Sequence, residues 1–567
     1  MNLLKHFIKE CCEPRKLLFI TIAALILPNI ALCFTENMPW VVNFCNLLLP
    51  ISIYLLVFTF NRIPGKIIWW LFILIFFCAF QLVLLYLFGN GLISVDMFLN
   101  LVTTNTGEVF ELLNKLIPGV AGVLLIYIPI LLLGIISIKQ KYRLSTTFIQ
   151  KIRKTSLVGL FISIPVLFAC RTTTSSFSIK DYIFPANVCY NLVLAIERTY
   201  ITTHYQELSK GFKFDAKSTH ASTAREVYVL VIGETARASN FSLYGYERNT
   251  TPQLDSLHGL TIFTDALTQS NTTHKSVPML LSAASAENFE CLYQQKGIIT
   301  AFKEAGFHTA FFSNQQRNHS FIDFLGEEAH QCVFIHDILP DNDNVKDMEL
   351  LTLLEQELNK KYHKQFIVLH TYGSHFNYNE RYLPCDGIFQ PDNNMEAMAN
   401  NRMSLINAYD NTIYQTDKFL GKIAQLLQKD DIQSAFIYTS DHGEDIFDDE
   451  REAFLHASPI PTCYQLHVPF LVWTSSEFTS HYPQISNHLQ ANSHKPIATS
   501  ASVFHTMLYL AGITTSHRID SLSVASDAYK KHPRYYLNDH NHPKRMDQIG
   551  LTENDLNYFH KKQISFP

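Results

Sequence analysis

Long, nearly uncharged apolar runs crowd the first third of the 567-residue chain: Leu17 to Phe34, Trp40 to Phe60, Ile67 to Phe88, Ile117 to Ile138 and Ser156 to Cys170. Each is close to the roughly 20 residues that a helix rising about 1.5 Å per residue needs to cross a hydrocarbon core, the last being short unless its polar flank contributes. A cleaved signal peptide would account for the first run alone, but four more follow it and no small-residue cleavage pattern closes it. The chain is therefore expected to have two parts, a five-helix transmembrane domain over residues 1–170 and a polar remainder.

The cations give the orientation, because short loops rich in Lys and Arg stay in the cytoplasm. Lys5, Lys9, Arg15 and Lys16 precede the first run, Arg62 and Lys66 divide the second from the third, and Lys139, Lys141, Arg143, Lys151, Arg153 and Lys154 lie between the fourth and fifth. The intervening loops, Thr35 to Pro39 and Gly89 to Pro118, hold acids and only Lys115 as a cation. Five crossings then leave everything after Cys170 outside. The net charge of −5 gives no sign of a nucleic-acid partner, and the polar part has no basic stripe with interleaved aromatics. Cys189, Cys291, Cys332, Cys385 and Cys463 fall in the outward region, where disulfides are permitted; their odd number leaves at least one free, and zinc-finger spacing is absent.

Residues 171–224 read as a connector, with Asp181 to Ile201 as an amphipathic segment on the membrane surface. From 225 to 567, short β-rich runs alternate with helical stretches: Val227 to Ile232, Thr261 to Phe263, His308 to Phe312, Phe366 to His370, Ala435 to Tyr438 and Val468 to Trp473, with surface helices over Lys296 to Ala305 and Met403 to Gln428. This predicts an α/β domain with a mainly parallel sheet. Several strands end in polar clusters. Glu234 follows VYVLVIG, His370 and His375 follow FIVL, and Asp441 with His442 follow AFIYTS. In open α/β sheets, ligands bind beyond the carboxyl ends of the strands, so these groups are candidates to converge.

Singly, each has an ordinary reading: Glu234 as a helix cap or solvated acid, Thr273 as the N-cap of a helix running through SVPMLLSA, the histidines as structural. As a set, Glu234, Asp441 and His442 offer two carboxylates and an imidazole, a mixture suited to zinc and acceptable to manganese. Thr273 completes it. A threonine hydroxyl is a poor nucleophile until a base or metal activates it, and a helix N-terminus at Thr273 also attracts phosphate.

The segments VIGETARASNFSLYGYERNTTP, SNTTHKSVPMLLS, HTYGSH, TSDHGED and FLHASP, ordered between Val231 and Trp473, resemble the phosphoethanolamine transferases, a family that includes lipid A modifying and mobile colistin-resistance enzymes. The resemblance implies a periplasmic domain like those of alkaline phosphatase and the sulfatases, on a multi-pass anchor in the bacterial inner membrane. It implies one or two zinc ions, the first held by Glu234, Thr273, Asp441 and His442, with Thr273 as nucleophile. His375 and His456 would serve the substrate phosphate or a second zinc, with His370 assisting. The implied donor is phosphatidylethanolamine. Lipid A phosphate is the leading acceptor, and a core sugar, periplasmic glucan or protein are alternatives. One departure concerns the nucleophile loop. A disulfide brackets it in several lipid A enzymes, whereas Gln269 and Met279 stand at the corresponding places here, so the loop must be held otherwise.

The outward loop DMFLNLVTTNTGEVFELL has helical periodicity, which puts Asn100, Thr104 and Glu108 on one face. Alone, the pattern fits the solvated face of an interfacial helix. The resemblance implies instead a pocket for the lipid headgroup, with Glu108 opposite its ammonium. Two rivals stand beside the transferase: a membrane-anchored phosphatase or sulfatase-like hydrolase in which water resolves the intermediate, and a non-catalytic scaffold. The loop TTHKSVP lacks the Cys or Ser followed by x-Pro-x-Arg that sulfatases use, and no metal ligand is missing.

Overall fold

In the computed structural model the apolar runs fold as helices: α1 (Pro14–Thr35), α2 (Trp40–Val57), α3 (Pro64–Trp70), α4 (Phe72–Phe88), α5 (Val95–Thr103), α6 (Thr106–Lys139) and α7 (Thr146–Thr173). The structure describes residues 10–89, 91–103, 106–174, 177–220, 225–339, 345–428 and 432–566, with residues 88, 100–103 and 106–116 described by their backbone alone. The chain divides into two units, one of residues 1–102 and 106–197, the other of residues 103–105 and 198–567.

In the first unit, four helices are long and apolar enough to cross a membrane, and α3 with α4 makes a fifth if that bent pair is one span. The continuous third run expected from the sequence is broken by 63°. No proline sits at the bend; Leu71 leaves helical geometry at φ −89°, ψ 13°. α3 packs closely on α6, where a Cβ on Gly65 would meet the carbonyl of Gly134 at 2.2 Å. Small residues of this kind let membrane helices approach closely. The fifth run is longer than its apolar part, since its basic flank is helical too. Ser145 caps α7 by accepting from Phe148 N at 3.3 Å, and Arg153 reaches back to the Thr59 carbonyl at 3.4 Å.

The expected amphipathic segment is split into a short turn, Ile179–Tyr182, and α8 (Ala186–Thr203). Pro185 lacks the N–H a continuous helix needs and disfavours helix at the residue before it. Val193, Ile196 and Tyr200 of α8 are exposed while Val188, Asn191 and Ala195 are buried.

The second unit is built on a seven-stranded sheet of β1 (Arg225–Gly233), β2 (Leu260–Ile262), β3 (His308–Ser313), β4 (Gln331–Phe334), β5 (Lys364–His370), β6 (Ile432–Ser440) and β7 (Phe470–Thr474), in the order β2-β7-β6-β1-β5-β3-β4. Only β7 runs against the rest. β1 shows why the strands read as continuous apolar runs. Tyr228, Leu230 and Ile232 enter the core on one face, and Val227, Val229 and Val231 enter the core on the other. A strand buried on both sides has no polar face. Helix α9 (Thr273–Leu280) packs its Val277, Met279 and Leu280 into the first core, and α10 (Arg402–Leu427) packs Leu405, Tyr409, Ile413 and Leu420 into the second. All eleven cysteines carry free thiols.

Candidate metal and nucleophile site

β1 and β6 are parallel neighbours in a register that pairs Gly233 with Ser440, so the residues that follow them emerge side by side at the carboxyl edge of the sheet. Those residues are Glu234 and Asp441, and the Asp441 N–H donates to the Gly233 carbonyl at 3.0 Å. Thr235 takes a left-handed φ of 52°, and its N–H donates to Asp441 Oδ1 at 3.1 Å. The loop after β5 crosses over Glu234 at Gly373, whose φ is +54° and whose missing Cβ would lie 2.7 Å from the Glu234 carbonyl. Only glycine fits there.

Thr273 opens α9. The residue in the N-cap position is Thr272, with φ −134° and ψ 131°, which corrects the sequence expectation that Thr273 is the cap. This register frees the Thr273 side chain. Its Oγ1 lies 3.2 Å from Glu234 Oε1 and 3.2 Å from His442 Nε2. His442 Nδ1 sits 3.0 Å from the Gly443 carbonyl, which can only accept, so the ring proton is on Nδ1 and the Nε2 lone pair faces the cluster. Nε2 is 3.2 Å from Asp441 Oδ2 and 3.7 Å from Glu234 Oε1. Asp441 Oδ2 is buried without a hydrogen-bond partner among the described residues.

One ligand atom from each of Glu234, Asp441 and His442 falls within 4.8 Å of the others, and all three residues are buried. Lone pairs of two carboxylates and an imidazole thus converge where the Thr273 hydroxyl offers a single proton. Burial raises the Asp441 carboxyl above its usual range and pushes the His442 imidazole well below its own. Oxygen and nitrogen donors so disposed fit a divalent cation such as zinc.

The other sequence candidates are distributed unevenly. The His456 ring centroid is 4.3 Å from that of His442 and 6.1 Å from that of His375. His375 Nδ1 lies 2.7 Å from the Phe376 carbonyl, and burial, with Arg381 and His456 nearby, lowers its imidazole to about 3. His370 is directed elsewhere. It is wholly buried with Nδ1 3.1 Å from Ser313 Oγ, and burial lowers it to about 3. Thr104 lies outside the described residues, as do the side chains of Asn100 and Glu108.

Three contributors escaped the sequence reading. Gln315 Nε2 donates to Glu234 Oε2 at 3.0 Å. Glu444, inside the TSDHGED segment, is fully buried, its Oε2 3.7 Å from His456 Nδ1. The loop leading into Thr273 is held by hydrogen bonds: Gln269 Nε2 to the Tyr535 carbonyl at 3.2 Å, Leu537 N to the Gln269 carbonyl at 2.7 Å and Thr268 Oγ1 to the Asp441 carbonyl at 2.6 Å. The only signal for Glu444 was its place in the motif. An amide side chain such as that of Gln315 carries none.

A mainly parallel α/β domain gathering two carboxylates, an imidazole and a threonine hydroxyl at its central strand ends, in a chain with membrane-length helices, defines an alkaline phosphatase-like protein with a membrane part. More narrowly, the chain belongs to the sulfatase family, whose profile matches residues 226–513. Several curated proteins similar to it bear the name phosphoethanolamine transferase. It is 32% identical to phosphoethanolamine transferase EptA of Escherichia coli (strain K12) over 305 residues, 52% of this chain and 54% of that protein. The chain thus spans little more than half the length of the curated relatives it matches. The crystal structure of the C-terminal periplasmic domain of EptC from Escherichia coli in complex with zinc superposes with a TM-score of 0.54 at 25% identity, covering 59% of this chain and 96% of that one. The integral membrane protein lipooligosaccharide phosphoethanolamine transferase A from Neisseria meningitidis shares the fold over 90% of this chain and 97% of its own, with a TM-score of 0.70 at 21% identity.

Proposed function

We propose that this protein transfers phosphoethanolamine from phosphatidylethanolamine to lipid A phosphate or a related envelope glycan, in the bacterial inner membrane with the second unit in the periplasm. The observation that carries the reading is the Thr273 hydroxyl, 3.2 Å from both Glu234 Oε1 and His442 Nε2 at the start of α9. The name and zinc complex of the EptC relative, and the phosphoethanolamine transferase names of the curated relatives, support it.

Glu234, Asp441 and His442, with Thr273 as a fourth donor, would hold a zinc ion. When bound, it supplies a lowered hydroxyl pKa and a counter-charge for phosphoryl oxygens. Thr273 Oγ attacks the phosphorus, the bond from phosphorus to the glycerol oxygen breaks, and diacylglycerol leaves with the proton that threonine gave up. An acceptor oxygen then attacks the same phosphorus, the bond to Thr273 Oγ breaks, and the acceptor's proton passes to Thr273 Oγ. This is double-displacement chemistry. The N-terminus of α9 favours the phosphoryl group in both steps. His375 and His456 face it from the side of His442, or hold a second ion; His370 supports the strand end through Ser313. Asn100, Thr104 and Glu108 are assigned to the lipid headgroup on the family resemblance.

The sulfatase family match favours one alternative, a hydrolase in which water replaces the acceptor. The experiment is mass spectrometry of lipid A from cells with and without the protein, beside purified protein given phosphatidylethanolamine. A phosphoethanolamine increment on lipid A supports transfer. Release of free phosphoethanolamine at the same rate with and without acceptor makes it a hydrolase.

A further inference from the structure

Asn271, two residues before Thr273, is buried and engages both polar atoms of its side chain. Its Nδ2 donates to the Ser458 carbonyl at 2.9 Å and to Gln465 Oε1 at 2.7 Å, while its Oδ1 accepts from the Tyr536 hydroxyl at 2.6 Å. Its backbone carbonyl accepts from Ala457 N at 3.2 Å. The amide has one sensible orientation: the Ser458 carbonyl can only accept, and Gln465 is itself fixed because its Nε2 donates to Asp445 Oδ2 at 2.6 Å.

Ala457 and Ser458 follow His456, so Asn271 grips the turn that presents this histidine. Gln465 Nε2 reaches the Leu455 carbonyl on the other side at 3.3 Å. The turn needs holding. Leu455 and Ala457 flank His456 with φ of 68° and 61°, the left-handed region that residues with a Cβ rarely occupy. Strain of this sort persists where the surroundings over-determine it, and it clusters at working sites. The ring so presented lies 4.3 Å from that of His442, whose Nε2 is 3.2 Å from Thr273 Oγ1.

We propose that Asn271 is a positioning residue that locks the His456 turn to the loop carrying Thr273, so that nucleophile and histidine keep one spacing through both half-reactions. This rests on the reading of Thr273 as nucleophile. It adds that His456 acts at a fixed place beside it, and that Asn271, which has no titratable group, sets that place. Without the clamp, the left-handed residues on either side of His456 relax and the ring leaves its position.

The test compares full-length wild type, Asn271→Ala, His456→Ala and the double variant. One readout is hydrogen exchange of residues 454–460 against that of the 273–280 helix; the other is diacylglycerol release from phosphatidylethanolamine in mixed micelles. Asn271→Asp, equal in size but without the two donated bonds, stands in if Asn271→Ala does not fold. In the Asn271 variants, exchange over 454–460 should rise about ten-fold with 273–280 unchanged, and turnover should fall about ten-fold. The double variant should match His456→Ala within about two-fold, because a residue that acts through another adds nothing once the other is gone. Rate losses that multiply, or unchanged exchange over 454–460, overturn the proposal. Wild type that releases no diacylglycerol overturns the transferase reading instead, and the exchange comparison then decides the clamp alone.

Discussion

Gln315 donates through one nitrogen to Glu234 Oε2 at 3.0 Å and to the Thr371 carbonyl at 3.1 Å. It thereby holds the outer oxygen of Glu234 while the inner oxygen faces Thr273. Second-layer partners of this kind orient a ligand, and losing one weakens metal binding by about 10–100-fold. Gln315→Ala is expected to lower zinc affinity within that range in a chelator competition with the fold retained. Unchanged affinity would show that Gln315 does not orient Glu234.

The helix register at Thr273 makes a prediction about one atom. Thr272 is the N-cap and Thr273 the first helical residue, with its hydroxyl between Glu234 and His442. Peptide mass spectrometry after incubation with phosphatidylethanolamine should find phosphoethanolamine on Thr273. Thr273→Ala should abolish cleavage, and Thr272→Ala should leave the adduct in place. An adduct on Thr272 would mean that the wrong hydroxyl has been given the chemistry.

Gly373 permits a backbone crossing that no other residue allows. A Cβ there would lie 2.7 Å from the Glu234 carbonyl and 2.8 Å from its nitrogen, on a left-handed backbone. Gly245, also left-handed at φ +77°, has nothing within 4 Å of its Cβ position. Both alanine variants bear the backbone penalty of about 1–2 kcal/mol. Only Gly373→Ala also displaces Glu234. Gly373→Ala should therefore have the lower melting temperature of the two and the lower zinc content. Equal losses would mean that the loop shifts freely.

Arg237 and Asp448 form a buried ion pair of 2.6 Å, with the guanidinium also donating to the Glu444 carbonyl at 3.1 Å. Burial works to raise the Asp448 carboxyl, but Arg237 and its other hydrogen bonds outweigh it and hold the group below the usual carboxylate range. A carboxyl depressed in the folded state stabilises above its unfolded pKa, near 4, and loses that contribution as pH falls through the folded value. Arg237→Ala should destabilise by about 3 kcal/mol at pH 7, the low end for a broken buried pair because Arg402 still reaches Asp448 at 2.9 Å. The gap between wild type and variant should narrow below about pH 4. Thermal unfolding at pH 7 and pH 3.5 measures both, and a gap that widens in acid would reverse the assignment.

The parts of the structure that could be read beforehand are those with a periodic or chemical signature. Strands buried on both faces, such as β1, stand out as apolar runs, and the groups at their ends, Glu234, Asp441 and His442, are ionisable types that seldom occur buried without a purpose. The bend at Leu71 had no such sign, and the close approach of Gly65 to Gly134 joins positions 69 apart in the chain. His370 shares its segment with His375, yet the strand's alternation turns its ring toward Ser313. Asn271, Gln315 and Gln465 act through neutral amides whose partners are remote in sequence, and nothing local distinguishes them from surface amides.

The last prediction separates the two units. The EptC relative's structure is of its periplasmic domain alone, and this chain covers 96% of it, so residues from about Lys210 onward are expected to fold without the helices. The candidate metal ligands Glu234, Asp441 and His442 and Thr273 all lie in that stretch, whereas Asn100, Thr104 and Glu108 precede it. If the membrane part recognises the lipid, the isolated domain should bind zinc as the full chain does and cleave a soluble, short-chain phosphatidylethanolamine. It should transfer poorly from the lipid in a bilayer. Glu108→Gln in the full chain should show the same selective loss with zinc retained, since removing the carboxylate's charge removes its attraction for the headgroup ammonium. Undiminished transfer from bilayers by both proteins would leave the helices as a tether and the second unit as the whole recognition machinery.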